Sequence, residues 1–502
     1  MSNTATTPKR EMPDAGVKRG AITLTAASLF DFSMQLLLPV ALVRLLLPGA
    51  FADYRLAWLA IGAAVAIAPL ALPRSLLFFL PRSSARRGAA YLRQTLLALL
   101  ITGLCAGVLL GPWNVLLPRS VRAIVGAAWF MPAFLAMWVA ASLADLLPNA
   151  RGEVRAQARR IVTLAFLRVA MVALAAISGR IEIVFGALLV YAAIKLAVVL
   201  REVWRHAGPE VQSDSAGALR EQLAYALPFG LASALFLLRG QADQWVAAAL
   251  FPATAFAAFS IGAVIMPLAA LVRNSVSNAI TPRLSALQAS RDQAGMLRLN
   301  QRANLASALV LVPTLALIAM LAVHIVTVVY TPYYALGADV MRINCLALLG
   351  VAVEVSTLTV VLGQGRFLLC ADAVLLPVSL AASVIGATIW GLPGAALGNL
   401  LTLAAGNAFS FWRVARVTGV PVRALQQWGA LSRILAAALL AAGLCVLLDR
   451  ANLVRAALPE ALLLGALFAA FYVIGIKVAG LLPVARALFG RAPSPSASSL
   501  NH

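Results

Sequence analysis

Apolar runs long enough to cross a bilayer recur from residue 21 to residue 482, and little polar sequence is left between them. A helix needs about 20 apolar residues to span the hydrocarbon core, and in lipid each backbone amide must be satisfied inside its own segment. Runs of this length therefore specify helices. Fourteen are drawn: 21–47, 54–80, 92–111, 121–147, 161–178, 183–200, 223–251, 253–280, 303–330, 338–362, 367–390, 392–411, 431–448 and 458–482. The expected fold class is an all-α polytopic membrane protein with about 14 transmembrane helices. Length alone would suggest three soluble domains, but 62% hydrophobic and 12% charged residues exclude that reading.

The net charge of +22 needs an explanation other than nucleic-acid binding. Lys and Arg of membrane proteins collect in short cytoplasmic loops. With the N-terminus inside, the inner loops and tails hold most of the 40 basic residues and the outer loops few. Both termini are therefore expected in the cytoplasm, with the charge also touching anionic lipid head groups. The outer loops are too short for an extracellular catalytic domain. Cys105, Cys345, Cys370 and Cys445 lie in apolar segments without paired spacing, so neither disulfides nor a metal centre is expected. His206, His324 and His502 are scattered, and no phosphate loop, zinc-ligand cluster or nucleophilic triad appears. No enzyme activity, metal or cofactor is expected, and the first 20 residues show no cleavable signal.

One hairpin occurs twice. Pro69-Leu70-Ala71-Leu72-Pro73-Arg74-Ser75, ending in Pro81-Arg82, returns as Pro267-Leu268-Ala269-Ala270-Leu271-Val272-Arg273-Asn274-Ser275, ending in Pro282-Arg283. Internal repeats are a mark of transporters, whose substrate site lies between the copies. The expected organisation is a cytoplasmic tail (1–20), an N-lobe of helices 1 to 6 (21–200), and a polar linker (201–220). A C-lobe of helices 7 to 12 (221–415), an extra helix pair (416–482) and a Ser/Pro-rich cytoplasmic tail (483–502) follow.

Charges at membrane depth are costly and so mark function or pairing. Thr25, Ser28, Asp31 and Gln35 share one face of the first span, where Asp31 reads either as a coupling site for H⁺ or Na⁺ or as a structural acid paired to a neighbouring helix. Arg239 and Asp243 stand one turn apart, which suits an intrahelical pair; Arg239 could also offer its donor fork to phosphate, and Asp243 could join ion coupling. Arg74 and Arg273 hold matching places in the repeats, and Asn274 and Asn278 continue a polar stripe beside Arg273. Those arginines either snorkel to head groups or form a basic cavity mouth for a phosphorylated lipid. Arg168, Arg342, Glu354 and Asp372 are read as structural pairs.

The second lobe resembles the oligosaccharide flippases, within the superfamily that includes multidrug extruders and lipid II flippases. The resemblance rests on Tyr225-Ala226-Leu227-Pro228, Asp243, Pro282-Arg283-Leu284-Ser285, the 330–334 segment with Ala338, Gly363-Gln364-Gly365-Arg366, and Gly391-Leu392-Pro393-Gly394-Ala395-Ala396. Phe51-Ala52-Asp53-Tyr54 adds a mark in the first lobe, while Ala52 and Ala257 depart from the glycine often found there. The resemblance implies two pseudo-symmetric six-helix lobes around a central cavity, alternating access, and transport of an undecaprenyl-diphosphate-linked oligosaccharide across the bacterial inner membrane for exopolysaccharide, capsule or O-antigen assembly. The diphosphate would meet Arg74, Arg239, Arg273, Asn274 and Asn278. Expected partners are the lipid-linked oligosaccharide, membrane lipids and polysaccharide polymerase or export proteins, with the flippase itself a monomer and no nucleic acid involved. The alternatives are a cation-coupled multidrug antiporter and a lipid II-type flippase.

Overall fold

The computed structural model describes residues 15–115, 129–150, 153–206, 217–449 and 457–483. Most of the expected N-terminal tail, the centre of the 201–220 linker, the start of the fourth segment and nearly all of the C-terminal tail lie outside them. Among the described residues, each of the fourteen apolar segments lies mainly on helix, with breaks inside some of them. Ten runs are long and apolar enough to cross a membrane. The other four passes are the short apolar helix Phe130–Asp145, the Arg-bearing Val154–Ala176, the broken pair Gly337–Ala352 and Ser356–Val361, and Leu397–Thr418 with Asn399, Thr402 and Asn407. Of these, Val154–Ala176, the broken pair and Leu397–Thr418 carry polar groups that other helices satisfy, while the start of the pass that holds Phe130–Asp145 lies outside the described residues. The protein is an all-helical, multi-pass membrane protein.

Local sequence sets the helix ends. Pro48 and Pro73 occupy first-turn positions, where the missing N–H costs nothing. Asp292 Oδ1 accepts from Gly295 N at 2.8 Å, capping Gln293–Met320. Gly419, at φ 69°, closes Leu397–Thr418 in the left-handed conformation.

The chain forms two compact units, Met1–Ala234 and Leu235–His502, and their boundary falls inside the helix Ala218–Gly240. The first unit is cored by Leu76, Phe79, Tyr91, Leu99, Val139 and Leu143. Tyr54, Trp58, Phe134 and Trp138 add edge-to-face and tilted ring contacts at 5.2–6.1 Å between centroids. The second unit has one core around Leu284, Met296, Phe411 and Val414 and another around Leu321, Ala441, Cys445, Leu464 and Phe468. That second core fastens the hairpin of Trp428–Asp449 and Ala457–Val478 to the end of the ninth pass. Leu439, Leu440, Leu447 and Leu462 stand exposed on the hairpin, as side chains facing lipid should.

The two segments carrying the repeated motif are the longest apolar runs among the described residues, 35 residues for Pro48–Arg82 and 37 for Ala253–Ala289. Each is broken inside. The first breaks between Ile67 and Leu72, where Leu70 and Ala71 hold φ of 49° and 55°. Two successive non-glycine residues in the left-handed region cost about 1–3 kcal/mol each, and such strain persists only where packing enforces it. Gly230 supplies the seat: a Cβ there would come within 2.8 Å of the Leu70 carbonyl carbon. The second run breaks between Gly262 and Met266, just before Pro267.

Candidate functional site

In the second unit, polar side chains are buried where an apolar bundle would be expected. Arg273 is 3% exposed. Its Nε donates to Glu354 Oε1 at 2.6 Å and its Nη1 to Asn304 Oδ1 at 2.8 Å. Asn304 Nδ2 donates to the Glu354 carbonyl at 2.8 Å, and Ser356 Oγ donates to Glu354 Oε1 at 2.8 Å. Glu354 can stand there because the tenth pass is cut: Val353 leaves the helical region at φ −131°, ψ 91°, and a new helix starts at Ser356. Non-helical backbone at membrane depth is tolerated only inside protein or against a water-filled cavity.

Asn300, Asn304 and Ser307 lie on one buried face of Gln293–Met320. Neither polar atom of Asn300, nor Ser307 Oγ, nor Arg273 Nη2 has a hydrogen-bond partner among the described residues. Each such orphan costs about 1–3 kcal/mol unless water or a ligand satisfies it. The 4-and-3 spacing of these residues within an apolar run was a readable signal that the sequence analysis passed over.

Arg239 corrects one expectation. It pairs with Asp372, Nε to Oδ1 at 2.9 Å, and not with Asp243. The reason is local: the helix ends at Gly240, Gln241 takes φ −110°, ψ 0°, and a new helix runs Ala242–Leu250, so the one-turn register with Asp243 is lost. The Arg239 guanidinium also lies 5.3 Å from the Phe236 ring centroid. Its ion pair with Asp372 is poorly aligned, leaving Nε and Nη1 without a directed hydrogen bond. Asp243 is 1% exposed; Oδ1 accepts from Gln244 N at 2.8 Å, and Oδ2 has no partner among the described residues. The break thus holds a buried cation and a buried carboxylate, each with unused bonding capacity.

The first unit holds the other candidates. Asp31 accepts from Gln35 Nε2 at 2.8 Å and faces Arg168 Nη2 at 3.5 Å. It is a paired acid, as the structural alternative required. Arg74 is exposed and lies 5.3 Å from the Phe229 ring centroid, whereas Arg273 is buried, so the matching sequence positions do not share an environment. Arg273 does not snorkel, since it is 3% exposed and a carboxylate and an amide hold two of its nitrogens. Asn274 and Asn278 are exposed, whereas Arg273 is buried. Of the four charges read as structural, all pair: Arg168 with Asp31, Glu354 with Arg273, Asp372 with Arg239, and Arg342 with Asp339 at 2.8 Å.

The start of the seventh pass belongs with this first unit. Tyr91 Oη donates to Glu221 Oε2 at 2.7 Å and Arg87 Nη2 contacts the same oxygen at 2.9 Å. Buried Gln222 accepts from Thr95 and donates to Ser75, both at 3.2 Å.

The profile of a family described as "Polysaccharide biosynthesis protein" matches residues 153–336, from the fifth pass to the loop before the tenth. No curated protein matches the chain in sequence. Among solved structures, the lipid II flippase MurJ in an inward closed conformation is similar with a TM-score of 0.69 at 12% identity, covering 91% of this chain and 98% of that one. A Vibrio cholerae MATE transporter, VcmN, gives 0.52 at 15% identity, covering 80% and 98%. A MOP superfamily transporter from Pyrococcus furiosus gives 0.55 at 15% identity, covering 81% and 99%. At these identities the likeness is one of fold, and this chain has the polytopic helical fold that the lipid II flippase and the MATE transporters share.

Proposed function

We propose that the protein is a flippase that moves an undecaprenyl-diphosphate-linked oligosaccharide across the bacterial inner membrane for exopolysaccharide, capsule or O-antigen assembly. The carrying observation is the polysaccharide-biosynthesis match inside a chain that is nearly coextensive with a lipid II flippase fold. Arg239 supports it, since a buried guanidinium with two undirected nitrogens suits a diphosphate. Asp243, with a free carboxylate oxygen at the helix break, is the better candidate for H⁺ or Na⁺ coupling than Asp31, which Arg168 and Gln35 already hold. A cation-coupled drug antiporter is the second reading, favoured by the MATE likeness over about four fifths of the chain.

The test is transport in reconstituted vesicles. Lipid-linked oligosaccharide is expected to become accessible at the opposite leaflet at a rate well above protein-free vesicles, while cationic dyes are not expelled. Dye efflux driven by a cation gradient, without lipid movement, would reverse the choice. Both termini are assigned to the cytoplasm, so reporter fusions at Gly208 and Gln293 should report the inner side; an outer-side signal from either overturns the topology.

A further inference from the structure

The structure gathers three side chains that are far apart in sequence. His324 ends the short helical turn Ala322–His324 at the close of the ninth pass, Asp449 ends Trp428–Asp449, and Glu460 lies in the first turn of Ala457–Val478. One potential ligand atom from each lies within 4.8 Å of the other two. His324 Nε2 and Glu460 Oε2 are 3.5 Å apart, with 19% and 18% of their side-chain surfaces exposed. No local spacing points to the cluster, because the histidine sits more than a hundred residues before either carboxylate.

We propose that His324, Asp449 and Glu460 form a binding site for a first-row divalent cation of the Zn²⁺ class, which staples the C-terminal hairpin to the ninth pass. The donor set is the argument: one imidazole and two carboxylates are ligands such ions take, with water filling a fourth position. Donors about 2.0–2.1 Å from a tetrahedral ion stand roughly 3.4 Å apart, which is the His324–Glu460 spacing to within a small side-chain movement. Asp449 needs a larger rotation, toward the other two. Charge points the same way. Two carboxylates share a half-buried place, and a divalent ion would cancel both charges.

Position gives the site its use. Below it the hairpin is held to the ninth pass by the apolar group around Leu321, Ala441, Cys445, Leu464 and Phe468, and by Tyr472 Oη donating to Leu309 O at 3.2 Å. Those are packing contacts of a kind that lipid can replace, so they fix the hairpin weakly. A cation joining the ends of three helical elements would fix its register. Beyond His324 the chain continues as a π turn, Ile325–Tyr330, a rare form often found where a side chain must be aimed.

The experiment uses tag-free, chelator-stripped full-length protein in detergent micelles. Metal analysis after dialysis against Zn²⁺ is expected to give one ion per chain, and Tm should rise with Zn²⁺ concentration. His324→Ala and Glu460→Gln should each weaken binding by at least about 10-fold, the loss typical even of outer-shell changes. Asp449→Cys should keep the site and, with Co²⁺, add a sulfur-to-metal charge-transfer band that the wild type lacks. That gain of signal decides the matter even if the loss variants fold poorly. The proposal is overturned if the wild type binds no stoichiometric ion, if the combined His324→Ala, Glu460→Gln variant binds as the wild type does, or if Asp449→Cys adds no band.

Discussion

Replacing Arg273 with Ala is expected to destabilise the protein by about 3 kcal/mol, the low end for breaking a buried pair, because the change leaves the half-buried Glu354 carboxyl group without its cation. Two losses combine. Among the described residues, Glu354 keeps Ser356 as its side-chain donor, and Asn304 Oδ1 loses the donor that Arg273 supplies. Arg273→Lys should fall between, since one ammonium on a flexible stem cannot hold the carboxylate and the amide in the fixed geometry of the fork. Arg273→Met combined with Glu354→Gln should recover much of the loss, because the costly species is the lone charge and not the missing pair. Thermal unfolding in detergent reads all three. If Arg273→Ala unfolds with the wild type yet transports no substrate, Arg273 belongs to the binding surface and the structural assignment is wrong.

Replacing Arg239 with Ala is expected to lower transport of lipid-linked oligosaccharide by about 1.5 to 3.5 orders of magnitude per inserted molecule. Removing one partner of a buried charge contact costs about 2–5 kcal/mol of binding, and here the lost partner would be the diphosphate's. Arg239→Lys should retain partial activity, keeping the charge without the planar fork. Asp372→Asn separates the two roles of the guanidinium. It removes the competing carboxylate 2.9 Å away while leaving Arg239 in place, so substrate affinity should hold or rise even where turnover falls. Reconstituted vesicles, normalised to inserted protein, give the answer. A wild-type rate for Arg239→Ala would remove the diphosphate contact from the proposed function.

The difference between what could and could not be read in advance follows from how each feature is encoded. Apolar runs specify helices by length and composition alone, so the fourteen segments lie mainly on helix. Pairing across helices is different. Arg168 and Asp31 are 137 residues apart, and Arg273 and Glu354 are 81 apart, so no local spacing names the partner. The intrahelical pairing of Arg239 with Asp243 failed for a related reason: it assumed an unbroken helix, and the helix stops at Gly240. The break at Glu354 is equally hidden, since Val353, Glu354 and Val355 carry neither Gly nor Pro, and the interruption exists because Arg273 and Asn304 hold the intervening residue.

The pairing of Asp31 with Arg168 has a consequence for how the chain is made. An arginine at the centre of a pass adds about 2.5–3.5 kcal/mol to the free energy of entering the membrane during synthesis, and Val154–Ala176 carries Arg168 among its apolar residues. It packs on Ala15–Leu45, which precedes it in the chain and carries the acid that offsets that arginine. Entry of the fifth pass is therefore conditional on the first pass remaining beside it while the three between are being synthesised, a dependence that deletion of Ala15–Leu45 would expose as failure of Val154–Ala176 to span. Asp31, in this light, serves the insertion of a later helix as well as the packing of the finished fold.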